Sequence, residues 1–249
     1  MTELYKKSEI WFAVVLISVY VVGTSAADSI SDLLGLSKSV TLFFHLLLSA
    51  AVLFWVVKMG LSKKYGLCRP EGKASRYLYF IPLALISSVN LWFGVQMNMG
   101  VTETLLYVGS MLCVGFLEEI IFRGFLFRAM EKDGVRLAII VSSVTFGIGH
   151  IVNLFNGSGA ELSENLCQVA YAVAFGFLFV TVFYRGGSLI PCIVSHSAIN
   201  MLSAFSNEAA MKGTTNIIVS AVMCVTALGY TLVLMRTLPE NKGGDRRVT

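Results

Sequence analysis

Two adjacent glutamates and an arginine, in "EEIIFR" at 118–123, interrupt an otherwise apolar run from Cys113 to Phe127. On a helix Glu119 and Arg123, four apart, share a face and can form an ion pair, whereas Glu118, five from Arg123, points away and is left free. "FGIGH" sets Phe146 and His150 four apart, with Gly147 and Gly149 between them allowing close approach of a neighbouring helix. "HSAIN" puts His196 and Asn200 on one face of a third apolar stretch, after Pro191. Carboxylate, imidazole and amide gathered in a dry cavity are the groups of acid–base hydrolysis, of a metal site, or of proton-coupled transport. Each group has a plainer reading as well. Charges can mark a helix end, and a lone histidine inside a helix packing often donates to a carbonyl. Ionisable groups at bilayer depth cost several kcal/mol unless they face the interior and find partners, so three sites on three stretches favour function.

These residues need elements to hold them. Of the 249 residues, 56% are hydrophobic and 14% charged, with a mean hydropathy of +0.75, which predicts an integral membrane protein. The expected fold class is all-α, a polytopic membrane protein with about eight transmembrane helices around a polar intramembrane cavity. The low-charge runs lie at 10–27, 40–57, 77–96, 104–117, 137–152, 166–184, 188–205 and 215–235. No stretch is long and polar enough for a separate soluble domain, so residues 1–249 read as one membrane domain. At 1.5 Å per residue, Glu118 lies roughly 15 Å and His196 roughly 13 Å from the cytoplasmic helix ends. His150 comes out deeper on a straight helix, and a late start or a tilt must close that gap. His45 has no polar partner at helical spacing and reads as packing or a local hydrogen bond; Asn90 and Gln96 read as structural hydrogen bonding.

Placing the N-terminus inside puts all but Lys38 and Lys212 of the 19 basic residues on the cytoplasmic face, Lys73, Arg76, Lys242, Arg246 and Arg247 among them. Both termini are therefore expected in the cytoplasm. The formal net charge of +4 then reflects topology and attraction to anionic lipid, with no nucleic-acid partner implied. Lys6 and Lys7, an apolar run and "TSAADS" at 24–29 also fit a cleaved signal; the long apolar run favours a retained helix. The five cysteines form no CxxC pair and are given no redox or metal role. Asn156, Gly157, Ser158 and Gly159 read as a connector, and 239–249 as a solvated tail.

EExxxR, FxxxH and HxxxN, in that order on successive apolar helices, resemble the CPBP family of intramembrane proteases, also called the Abi or type II CAAX prenyl endopeptidase family. The resemblance covers about residues 104–205, the expected catalytic core; the first three helices contribute only length and topology to it. It implies a membrane-embedded endopeptidase of a bacterial plasma membrane. Glu118 would activate water and His150 would hold it, His196 and Asn200 would stabilise the oxyanion, and Glu119 with Arg123 would be the structural pair. Its substrate would be a membrane-associated peptide or lipidated protein, prenylated CAAX-type or bacteriocin-like. A metal version stays open: zinc held by His150, His196 and Glu118, with Glu119 as base. Asn200 beside His196 favours the metal-free version, and the absence of HExxH argues against a zincin. Two rival functions are a non-catalytic peptide-binding immunity or scaffold protein and, ranked lower, a proton-coupled transporter.

Overall fold

The computed structural model describes residues 1–70, 80–155 and 161–238. Lys73, Arg76, the stretch 156–159 and the tail 239–249 lie outside the described residues. The described chain is helical: α1 (Thr2–Lys7), α2 (Glu9–Leu33), α3 (Ser39–Lys58), α4 (Ile81–Ser87) and α5 (Val101–Glu118) come first. α5 runs without a break into a π-helix, Glu119–Phe127, and then into α6 (Arg128–Glu131). α7 (Val135–Gly149) ends in a 3₁₀ turn, His150–Leu154, and is followed by α8 (Leu162–Gly186), α9 (Ile190–Leu202) and α10 (Thr214–Thr237). Six of these runs are long and apolar enough to cross a membrane: α2, α3, Val101–Glu131, Val135–Leu154, α8 and α10. Ile190–Phe205 is a shorter apolar helix. The chain is a polytopic, all-α integral membrane protein.

The expected third span, 77–96, takes a different form where it is described. α4 has seven residues with Pro82 in its first turn, a 3₁₀ turn Val89–Leu91 follows, and the chain then extends, with Gly94 at φ 100° and Val95 bridging to Ser206. Backbone that leaves the helix at membrane depth must be satisfied by protein, and here side chains tie the segment to α9 and the turn beyond it. The Ser87 hydroxyl donates to the Ser195 carbonyl at 3.3 Å, and the amides of Asn90 and Asn98 donate to the carbonyls of Ile199 at 2.7 Å and Ser206 at 2.9 Å. Asn90 is thus a structural hydrogen-bonding residue, as its sequence context predicts.

The π segment is the centre of the molecule: all nine of its residues are buried, with α2, α7, α8 and α9 against it. An all-round apolar helix belongs in such a place. Glycines set the closest approaches. A Cβ on Gly115 would lie 2.2 Å from the Ser197 hydroxyl and 2.6 Å from its backbone nitrogen, so α5 and α9 touch backbone to backbone there. Gly147 meets Val173 and Gly176 meets Ser143 in the same way, bringing α7 against α8. Gly149, paired with Gly147 in the sequence reading, has open space where its Cβ would be and mediates no helix contact.

Candidate active site

Glu118 is the last residue of α5, at the junction with the π-helix that carries Glu119 and Arg123. Glu118, Glu119 and Arg123 are all buried, the last two completely. Glu119 Oε1 lies 3.1 Å from the Arg123 guanidinium, the pair expected from their spacing, and the change from α to π pitch does not break it. The same oxygen is 2.8 Å from His196 Nδ1. A carboxylate accepts only, so it fixes the proton on Nδ1 and the ring's orientation. Glu119 is therefore more than the partner of Arg123: it also aims His196 from 77 residues away. The carbonyl of Phe122 in the π segment accepts from the Ser142 hydroxyl at 2.9 Å. π-helices are rare and concentrate at functional sites.

Glu118 is held differently. Oε1 accepts from the Tyr20 hydroxyl at 2.7 Å. Oε2 has no hydrogen-bond partner among the described residues and faces His196 Nε2 at 3.4 Å. The agreement in depth between Glu118 and His196, argued from helix lengths, thus corresponds to direct proximity. His150 starts the 3₁₀ turn, and α7 begins at Val135, so no late start brings it up. Glu118 and His150 nonetheless line one cavity of about 90 Å³, with Tyr20, Thr24, Phe122 and Phe146 also on its wall. A cavity of that size, with Glu118, His150, Tyr20 and Thr24 as polar groups on its wall, has room for a few water molecules.

Phe146 ties the two histidines together. Its ring meets His150 edge-on at 5.3 Å and His196 edge-on at 5.6 Å between centroids, and carries the Arg123 guanidinium 4.0 Å from its centre. Asn200 lies one turn beyond His196 on α9, partly buried, and its side-chain amide makes no hydrogen bond among the described residues. It is not on the cavity wall. The structure therefore joins Glu118, His196, Glu119 and Arg123 in a chain of direct contacts, places His150 on the cavity that Glu118 lines, and leaves Asn200 off that cavity's wall. Among the described residues no three His, Cys, Asp or Glu side chains converge as metal ligands, so the set His150, His196 and Glu118 does not fit a zinc ion as these side chains are arranged.

Tyr20 and the link from Glu119 to His196 do not emerge from the motifs. One signal was present for the first: Tyr20, Thr24 and Asp28 recur every four residues on an apolar span, a polar stripe on one face of α2. His45, expected to be packed or locally bonded, is fully buried with both ring nitrogens engaged, by Thr24 Oγ1 at 3.0 Å and Ser110 Oγ at 3.0 Å.

Residues 100–202 match the family model described as Type II CAAX prenyl endopeptidase Rce1-like. No curated protein matches the chain.

Proposed function

With residues 100–202 matching the Rce1-like family model, we propose that the chain is an intramembrane endopeptidase in which Glu118 activates water against a peptide bond of a membrane-associated substrate. One observation carries the reading: Glu118 and His150 line the same small cavity among the helices, and Glu118 Oε2, which makes no hydrogen bond, faces His196 Nε2 at 3.4 Å. Water held between His150 and Glu118 would give its proton to Oε2 as its oxygen attacks the carbonyl carbon. Glu118 would then return that proton to the leaving amine. His196 and Asn200 would receive the oxyanion. With Nδ1 donating to Glu119, His196 donates from Nε2 only as an imidazolium, and the two flanking carboxylates balance that charge. Arg123, 3.1 Å from its Oε1, holds Glu119 in place.

The catalytic core is the helical region of about 104–205 within one membrane domain. The substrate class is a short membrane-bound peptide or lipidated protein, prenylated CAAX-type or bacteriocin-like. The cytoplasmic side of a bacterial plasma membrane is the proposed location of both termini. The arrangement is metal-free, since the histidine and carboxylate donors are directed at one another and at a cavity rather than at a common point. A non-catalytic binder is the rival reading, favoured if the chain binds such a peptide without cleaving it.

The test compares wild type and Glu118→Gln in reconstituted vesicles, on a farnesylated CAAX peptide and on an unprenylated leader-type peptide, with and without a chelator. Wild type is expected to cleave one of them, Glu118→Gln to be slower by at least about 10²-fold, and chelation to leave the rate unchanged. Equal cleavage by the variant overturns the role of Glu118, loss of cleavage on stripping a tightly bound zinc overturns the metal-free arrangement, and tight binding with no cleavage establishes the binder.

A further inference from the structure

Glu118 lies in the Rce1-like segment, but the group that grips it does not. The Tyr20 hydroxyl of α2 donates to Oε1 at 2.7 Å in a buried contact, across 98 residues of chain. A glutamate's terminal torsion is broad and two-fold, so an unrestrained carboxylate would present either oxygen at many angles. A fixed donor on Oε1 removes that freedom and leaves Oε2, which faces His196 Nε2 at 3.4 Å, as the oxygen not bound to Tyr20.

Tyr20 is itself held. The His45 ring of α3 stacks on it with centroids 5.9 Å apart and planes 30° apart. His45 cannot turn freely, because Thr24 of α2 and Ser110 of α5 engage its two nitrogens at 3.0 Å each. Three helices therefore meet on one imidazole, and that imidazole backs the tyrosine. The groups on Tyr20 have separate tasks: its ring packs on His45 and its hydroxyl reaches the carboxylate.

We propose that Tyr20 is a positioning residue for the catalytic carboxylate, and that His45 is the strut that fixes Tyr20. The inference rests on the reading of Glu118 as the base. Tyr20 donates throughout and no proton passes through it: the proton taken from water goes to Oε2 and leaves on the amine. The helices preceding the matched segment then supply part of the active site's alignment as well as membrane anchorage.

The test uses the full chain in vesicles. Tyr20→Phe removes one oxygen and keeps the ring. It is expected to lower kcat by about 10- to 100-fold, the scale of small misplacements of reacting groups, with KM unchanged and an unaltered thermal midpoint in detergent. His45→Phe is expected to lower kcat in the same sense, with little added when combined with Tyr20→Phe. In a Glu118→Gln background Tyr20→Phe is expected to change the residual rate no further, whereas a general structural role would subtract the same factor again. Infrared difference spectra give a readout independent of turnover: the carboxylate band lost in Glu118→Gln is expected to shift in Tyr20→Phe. Wild-type kcat in Tyr20→Phe, a loss that falls on KM, an additive loss in the Glu118→Gln background, or an unshifted band overturns the proposal. Full activity of Glu118→Gln alongside a shifted band overturns the base reading instead, leaving the contact as a structural one.

Discussion

Arg123 heads the large side chains with no solvent exposure, ahead of Tyr65 and several phenylalanines. Its charge is met by one carboxylate oxygen of Glu119 at 3.1 Å and by the ring faces of Phe146 and Phe179, 4.0 Å and 5.8 Å from its central carbon. None of its nitrogens has a well-directed hydrogen bond among the described residues, so ion pairing and aromatic faces hold it. Removing one member of a buried pair strands the other, at about 3–5 kcal/mol. Arg123→Ala is therefore expected to unfold in detergent at markedly lower denaturant than wild type, and the double variant Arg123→Met/Glu119→Gln to recover much of that loss. Lysine lacks the planar stacking surface, so Arg123→Lys should not substitute for arginine either; a wild-type midpoint in Arg123→Lys would contradict this account. The pair was legible from sequence because residues four apart share a face at both α and π pitch. The third member, His196, was not, since nothing in local spacing says which oxygen of Glu119 a residue on another helix will reach.

At the scale of elements, the site depends on how closely α5 and α9 approach. Gly115 allows it, with Ser197 seated over the missing side chain and its hydroxyl donating to the Leu112 carbonyl at 3.1 Å. Gly115→Ala forces a methyl group against Ser197 backbone and should cost on the order of 1–3 kcal/mol, while slowing cleavage by separating Glu118 and Glu119 from His196. Gly229 of α10 offers the control: its Cβ would meet open space, and Gly229→Ala should raise stability by up to about 1 kcal/mol through helix propensity alone. Thermal midpoints in detergent, read beside peptide cleavage, check both; similar effects at the two positions would refute the close-approach argument. Hydropathy made the long helices legible because each must cover the hydrocarbon by itself. It could not find the short α4 with its 3₁₀ turn, whose polar groups are satisfied by carbonyls of α9 and beyond, nor the π pitch, which follows from packing around a fully enclosed segment.

At the scale of the molecule, the two ends differ in chemistry. At one end Lys64 reaches Tyr5 at 2.7 Å and Glu9 at 2.8 Å, Ser188 donates to the Cys68 carbonyl at 2.6 Å, and Arg185 donates to the Leu238 carbonyl at 2.9 Å. These contacts gather the start of α2, the connection after α3 and the ends of α8 and α10. At the other end Lys38 pairs with Asp28 at 2.8 Å, and Thr41 donates to the same carboxylate at 2.6 Å. With the basic end in the cytoplasm, a membrane-impermeant maleimide applied to intact cells should label Lys212→Cys and spare Lys132→Cys in a background free of the native cysteines. The reverse pattern would invert the proposed orientation. Charge distribution is the basis of the proposed orientation. The contribution of the first three helices to the site was not readable, since the Tyr20–Glu118 contact joins distant parts of the chain and neither residue announces the other.

That contact limits what can be exchanged. A chimaera that grafts residues 100–202 onto the leading helices of another protein would carry every motif glutamate, histidine and asparagine, yet would leave Glu118 Oε1 without its donor. On the proposed role of Tyr20, such a graft requires a hydroxyl at the place of Tyr20 and a flat, tethered ring at the place of His45, so two side chains join helix packing in setting the compatibility of the two portions.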